Sequence, residues 1–244
     1  MSGNSIFGPA HAAMRVQARA LVVGLFSALG LALPAWSGDV SGRVMITKRL
    51  TPRRVTLASY ELRGISLTPP AQSPALAAES TRVVIYLEGP GLPSGSPVFA
   101  QIGQKGRRFE PELLHVPAGS TVGFPNNDPI FHNVFSLSKA GQFDLGYYPE
   151  GRTRTVRFEK PGVVQVYCHI HPNMSTTILV VPSAWHTQPG NDGAFTLSDV
   201  PAGRYQIVAW HRSAGMFKRW IEIPASGSVE ISMTIPLPEV AGVP

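Results

Sequence analysis

The chain has 244 residues, among them 23 prolines and 24 glycines, a content that excludes a protein built on long helices. Its formal charge is +6, or +4 without the two arginines of its leader, and Lys48, Arg53, Arg54, Lys105, Arg107, Arg108, Arg152, Arg154, Lys218 and Arg219 are scattered with no run resembling a nucleic-acid surface. A single cysteine, Cys168, cannot close an internal disulfide, so it needs another reason to be present.

The first element is an address. Arg15 and Arg19 precede an apolar run from Ala20 to Leu33, and Ala35-Trp36-Ser37 offers small residues two apart at a cleavage site. Residues 1–37 therefore read as a signal peptide cut after Ser37, with Met14 as an alternative start. The run is shorter than the roughly 20 apolar residues a membrane span needs, so the expectation is an exported, periplasmic protein with no span after cleavage.

The remainder reads as all-β. Short strand-like runs recur between turn signals, the clearest being Val40–Ile46, Thr81–Glu88, Ser120–Phe124, Arg154–Phe158, Val163–Tyr167, Thr176–Val181, Arg204–Trp210 and Val229–Ile235. In the last, Val229, Ile231, Met233 and Ile235 alternate with Glu230, Ser232 and Thr234, which gives one buried face and one wet face. Leu67–Ser80 and Pro182–Asn191 are rich in proline and small polar residues and read as breaks, the first as a flexible loop. Residues 238–244 read as a flexible tail.

Chemistry concentrates in Cys168-His169-Ile170-His171-Pro172-Asn173-Met174, which follows one strand and precedes another. The spacing is C-x-x-H-x-x-M. Copper of the blue type takes one thiolate and two imidazoles in a plane with a long thioether contact along the axis, and all these donor types are present. A second histidine must then come from elsewhere. His132 fits, because a strand ends at Phe124-Pro125-Asn126 and the chain re-enters with Phe131-His132-Asn133. The metal ligands expected from this pattern are His132, Cys168, His171 and Met174, holding one copper. Structural zinc sites usually gather two or more cysteines or clustered histidines without methionine, which this chain does not do. A binuclear copper site would need a second cysteine. His115, His186 and His211 show no ligand spacing and read as structural or exposed.

These residues carry a family resemblance. Arg108-Phe109-Glu110-Pro111, Val116-Pro117-Ala118-Gly119, Val122-Gly123-Phe124-Pro125-Asn126 and His132-Asn133-Val134 run in the order seen in bacterial cupredoxins, and the short ligand loop is most similar to that of amicyanin within the plastocyanin and amicyanin branch. The resemblance covers about residues 97–182 and implies a Greek-key β-sandwich over 95–182 with a type 1 copper. It also implies that Asn133 steadies the ligand loop, and that His171 exposes its ring edge at an apolar end formed by Pro129, Ile130, Ile170 and Pro172. Multicopper oxidases, by contrast, place histidines on both sides of the cysteine, whereas here Tyr167 precedes Cys168.

The flanks form a second pattern. Gly38-Asp39-Val40-Ser41-Gly42-Arg43-Val44 and Arg82–Leu87 lie before the copper unit, and Asp192-Gly193-Ala194-Phe195 with Pro201-Ala202-Gly203-Arg204-Tyr205 lie after it. Joined, they resemble a carboxypeptidase-regulatory-like or transthyretin-like sandwich made of residues 38–90 and 188–237, with the cupredoxin unit set into it. Such an arrangement resembles bacterial proteins labelled methylamine-utilisation or plastocyanin-like. No paired carboxylates, serine elbow or phosphate loop accompanies it, so the expectation is not an enzyme but a carrier of single electrons between periplasmic redox proteins such as a dehydrogenase or cytochrome. A copper-delivery protein and a purely structural adhesion or binding sandwich with a vestigial loop are the alternatives.

Overall fold

In the computed structural model, the residues described are 37–47 and 79–235. Residues 1–36, 48–78 and 236–244, on which the expected signal peptide, most of the expected loop and the expected tail fall, lie outside them. Seventeen strands account for the described chain, and we number them β1 to β17 in order. The eight strands expected from sequence appear within two residues of their expected ends, except that β1 begins three residues earlier. They are β1 (Ser37–Ile46), β2 (Val83–Glu88), β7 (Ser120–Pro125), β10 (Thr153–Phe158), β11 (Gly162–Tyr167), β12 (Ser175–Val181), β15 (Gly203–His211) and β17 (Ser228–Ile235).

Nine more strands complete the sheets: β3 (Phe99–Gln101), β4 (Gly103–Lys105), β5 (Arg108–Glu110), β6 (Leu113–Pro117), β8 (His132–Ser138), β9 (Gly141–Tyr148), β13 (His186–Thr187), β14 (Ala194–Pro201) and β16 (Gly215–Ile223). Several of them lack a clear two-residue alternation. β9 is partly exposed along most of its length, and β13 is two residues inside a proline-rich stretch, so periodicity had little to act on.

Four sheets stack face to face. The outermost, in the order β10-β7-β3, lies over the five-stranded sheet β6-β12-β11-β8-β9. Between them sits a core of Phe109, Phe124, Phe158, Val164, Ile178 and their neighbours. The third sheet, β13-β2-β15-β16, packs its Val84, Tyr86, Val208 and Trp210 against Leu113, Leu179 and Val181 of the five-stranded sheet. Its opposite face, with Val83, Ile85, Leu87 and Ile207, meets the fourth sheet, β14-β1-β17, across a third core.

This layering explains two sequence features. Val83–Leu87 and Ile178–Val181 are unbroken apolar runs because alternate residues serve different cores: Ile178 and Val180 point one way, Leu179 and Val181 the other. Strands at the outside, such as β17, keep the alternation of apolar and polar residues that a half-buried strand requires. The terminal segments meet in the fourth sheet, where β1 pairs antiparallel with β14 and parallel with β17. Gly42 is required there, since a Cβ would lie 2.1 Å from the Ile231 carbonyl and 2.7 Å from the Phe195 ring. Thr81–Glu88, expected as one strand, begins with a turn at Thr81–Arg82 that follows helical Glu79–Ser80, and it pairs through β2 with β15 and β13.

Candidate metal centre

β11 and β12 are neighbours in register, Tyr167 opposite Ser175, so the seven residues between them must close on themselves. The loop does so through Cys168 N–H donating to the Met174 carbonyl at 3.2 Å and Met174 N–H donating to the His171 carbonyl at 2.9 Å. β8 lies on the other side of β11, with Tyr167 opposite Phe135, which carries His132 to the same end of the sandwich.

Three ring and sulfur atoms meet there. His132 Nδ1 is 3.2 Å from His171 Nδ1, and Cys168 Sγ lies 4.0 Å from the first and 3.6 Å from the second. This is the group of His, Cys, Asp and Glu side chains among the described residues in which three such ligand atoms lie within 4.8 Å of one another. Two imidazole nitrogens and a thiol at these separations fit a single ion bound at the roughly 2.0–2.3 Å that imidazole and thiolate ligands adopt around a metal. Met174 is 1% exposed and packs in the same core as Cys168. His132 and Cys168 are buried as well, while His171 is half-buried. The fold thus brings together the four residues expected from the motif: His132, Cys168 and His171 by their donor atoms, Met174 by packing in the same core as Cys168.

Each histidine nitrogen has a defined task. His132 Nε2 sits 2.8 Å from Asp128 Oδ2, so it carries the proton and leaves Nδ1 as a lone pair turned toward the sulfur. Asp128 also accepts the amides of Gly106 at 2.6 Å and Arg107 at 2.8 Å. Burial alone would raise the Asp128 pKa, but the hydrogen bonds from Arg107, His132 and Gly106 outweigh it and hold the carboxyl below its ordinary range. The His171 pKa is lowered, first by burial, then by the neighbouring His132 ring and the Arg107 charge.

Asp128 and Asn126 were missed by motif reading. Asn126 is fully buried and acts as a brace: its Nδ2 donates to the carbonyls of Ile130 at 2.8 Å and Tyr148 at 3.1 Å, and its Oδ1 accepts the Asp128 amide at 3.0 Å. The signal for both was an Asn-x-Asp four residues ahead of a histidine, a pattern that favours side-chain capping of the turn. Asn133 contacts a carboxylate beside the ligand loop. Its Nδ2 donates to Asp144 Oδ1 at 2.7 Å, and Asp144 Oδ2 is 3.6 Å from His169 Nε2, so it reaches the ligand loop through Asp144. The His169 ring stacks on Phe135 at 3.8 Å.

Several apolar residues next to the ligands in the chain are exposed. They are Pro129 and Pro172, Ile130 at 41%, Ile170 at 47% and Phe131 at 56%.

No family model matches the chain. Chloroplast plastocyanin from Pisum sativum is 26% identical over 162 residues, which cover 58% of this chain and 88% of that protein. This likeness supports a relationship to the cupredoxins. Among solved structures, a purple cupredoxin from Nitrosopumilus maritimus is 29% identical, covering 34% of this chain and 99% of that chain with a TM-score of 0.31. A reduced amicyanin variant is 21% identical, covering 39% and 99% of the two chains, also with a TM-score of 0.31. Among the described residues no helix is long and apolar enough to cross a membrane.

Proposed function

We propose that this chain is an exported type 1 copper protein that carries single electrons, with His132, Cys168, His171 and Met174 as the ligands of one copper. The observation that carries the reading is the convergence of His132 Nδ1, Cys168 Sγ and His171 Nδ1, with the far nitrogen of His132 already committed to Asp128. When bound, copper supplies a one-electron couple between its +2 and +1 states.

The protein residues do the rest. Cys168 binds as the thiolate, since a coordinating thiol is deprotonated outright by the metal. Asp128 and Asn126 hold His132 in one orientation and one tautomer, which lowers the rearrangement between oxidation states. The loop hydrogen bonds between Cys168, Met174 and His171 fix the remaining donors on two paired strands. With four protein donors, such a site leaves no position for a substrate, and this supports a carrier over an enzyme. The half-buried His171 between exposed Ile170 and Pro172 supports exchange of electrons at that end with a dehydrogenase or a cytochrome. In the same reading, residues 38–90 and 188–237 form a carboxypeptidase-regulatory-like sandwich that acts as a rigid support, and the leader directs the protein to the periplasm.

The test is the absorption and EPR spectrum of the copper-loaded protein, followed by measurement of its reduction potential. An intense visible band with a reversible one-electron couple is expected. A band without reversible cycling would favour a copper-delivery protein, and no band at all would favour a structural sandwich.

A further inference from the structure

Basic residues that lie far apart in sequence come together around the metal end. The β4–β5 hairpin turns at Gly106-Arg107, both in the left-handed region at φ 60° and 57°, the geometry of a two-residue hairpin turn. Both turn amides are bound by Asp128, and the same carboxylate oxygen that takes the Arg107 amide holds His132 Nε2. The hairpin tip, with Lys105, Arg107 and Arg108 all exposed, is thus fixed one carboxylate away from a proposed ligand.

A second basic segment is tied to the same place. Gln104 bridges Asn126, and the Asn127 amide donates to the Gln104 carbonyl at 2.9 Å. On the other side of Asn126, its amide donates to the Arg152 carbonyl at 2.9 Å and its own carbonyl accepts the Gly151 amide at 2.8 Å. Arg152 and Arg154 are exposed, and the Arg154 guanidinium lies 5.2 Å from the centre of the Tyr148 ring, opposite His132 across the sheet. Five exposed cations are therefore carried by segments bonded to Asn126, Asn127 and Asp128, in the turn that precedes His132. Against them, these segments carry exposed Glu110 and Glu150 and the buried Asp128, whose hydrogen bonds favour its charged form, so five cations face three carboxylates.

Resting on the electron-carrier reading, we propose that this basic collar docks an acidic redox protein, one whose cofactor edge is ringed by carboxylates, over the exposed apolar residues beside the ligands. The combination suits such a partner because apolar contact in the middle lets the cofactors approach, while charge at the rim steers the encounter and fixes its orientation. Rim charges act chiefly on the association rate, and their effect fades with salt as the screening length falls from about 30 Å at 0.01 M to about 8 Å at 0.15 M.

Two measurements test it on the full chain. In the first, the metal-free, 15N-labelled protein is titrated with octaglutamate and with octalysine at low ionic strength. Octaglutamate is expected to shift amides at 104–108, 151–154 and around His171, with binding weakened at least tenfold in the Arg107→Glu/Arg152→Glu double variant. Shifts spread over the surface, or tighter binding of octalysine, would overturn the collar whatever the metal does. In the second, the reduced copper-loaded protein is oxidised by hexacyanoferrate(III) and by tris(phenanthroline)cobalt(III). The rate with the anion should fall with salt and drop about tenfold or more in the double variant, the rate with the cation should rise, and Arg219→Glu on β16 should change neither. Equal rates in the double variant and the parent would overturn the collar, whereas the absence of a reversible couple in the parent would overturn the carrier reading it rests on.

Discussion

Two buried histidines in this molecule make the same bond and lead to different ends. His211, in the third sheet, places Nε2 3.1 Å from Glu79 Oε2, and His132, in the five-stranded sheet, places Nε2 2.8 Å from Asp128 Oδ2. The difference lies in the other nitrogen. His211 Nδ1 accepts the amides of Ser213 and Ala214, both at 3.2 Å, so both sides of its ring are used to hold a turn. His132 Nδ1 faces a thiol and a second imidazole, an arrangement that no internal hydrogen bond completes as well as a metal would. A carboxylate–imidazole pair is therefore not a functional signal in itself. What decides is whether the remaining lone pair has been satisfied by backbone.

The surroundings follow the same division. The core between the third and fourth sheets is built of apolar side chains from Val40 to Ile235, with the buried His211–Glu79 pair at the end of β15. Around the proposed metal end, Gln104, Asn126, Asp128, His132 and Asn133 are all buried. Buried polar groups cost stability unless they are paired, and here most are, although Gln104 Oε1 and Asn133 Oδ1 take no hydrogen bond among the described residues. One region is organised for stability and the other sacrifices some of it to hold donors in place.

That contrast can be broken most completely at Cys168. Cys168→Ser should erase the intense visible band of the copper-loaded protein while leaving its far-ultraviolet circular dichroism unchanged, because a buried thiol replaced by a hydroxyl keeps its volume but loses its affinity for copper. The next largest effect is expected where the two regions meet. Trp210 is 4% exposed in the core shared with Leu179 and Val181, and Trp210→Ala should cost about 3–5 kcal/mol. Calorimetry should then resolve the single transition of the parent into two, if the shared core is what couples the regions.

Acid provides a milder way to separate them. His115 on β6 and His186 on β13 face each other with their Nδ1 atoms 2.8 Å apart. Burial, aided by the charge of His186, lowers the His115 pKa to about 4 from 6.5, and burial lowers that of His186. A histidine with a depressed folded pKa contributes nothing adverse above pH 6.5, where it is neutral in both states. As pH falls below 6.5 the unfolded chain takes up the proton first, so stability declines down to about pH 4 and then levels, by at most about 3 kcal/mol for His115. Urea midpoints across pH 4–7 should show this slope, and the His115→Gln variant should flatten it.

The finest test is Asp128→Asn. The amide oxygen can still accept from His132 and the Arg107 amide, but the charge and the bond from the Gly106 amide are lost, so copper affinity should fall about 10–100-fold. If Cu(II) binding is weakened tenfold more than Cu(I) binding, the reduction potential rises by about 59 mV. Competition with a chromophoric chelator and voltammetry read the two effects separately.

Much of this was legible in the chain itself. The all-β class, eight strands and the His132, Cys168, His171 and Met174 set follow from local patterns: short β-rich runs between turns, a lone cysteine in a chain with a leader-like start, and donor types at loop spacing. Less legible were the strands that do not alternate, such as β9, and the hairpin of β4 and β5, each three residues long. Asn126 and Asp128 went unread because an Asx turn looks the same in sequence whether it braces a ligand or an ordinary bend.

Sequence by itself pointed to the proposed donors and the kind of metal they favour, because ligand chemistry depends on residue type and on spacing within a seven-residue loop. Tertiary structure alone decided which histidine nitrogen faces the site, since that depends on Asp128 meeting His132 within a turn also held by the β4–β5 hairpin. It also decided that Lys105, Arg107, Arg108, Arg152 and Arg154, scattered along the chain, share one end of the molecule. Charges act through space, and only the backbone bonds from Asn126 and Asn127 to residues 104, 151 and 152 bring those segments within reach of one another.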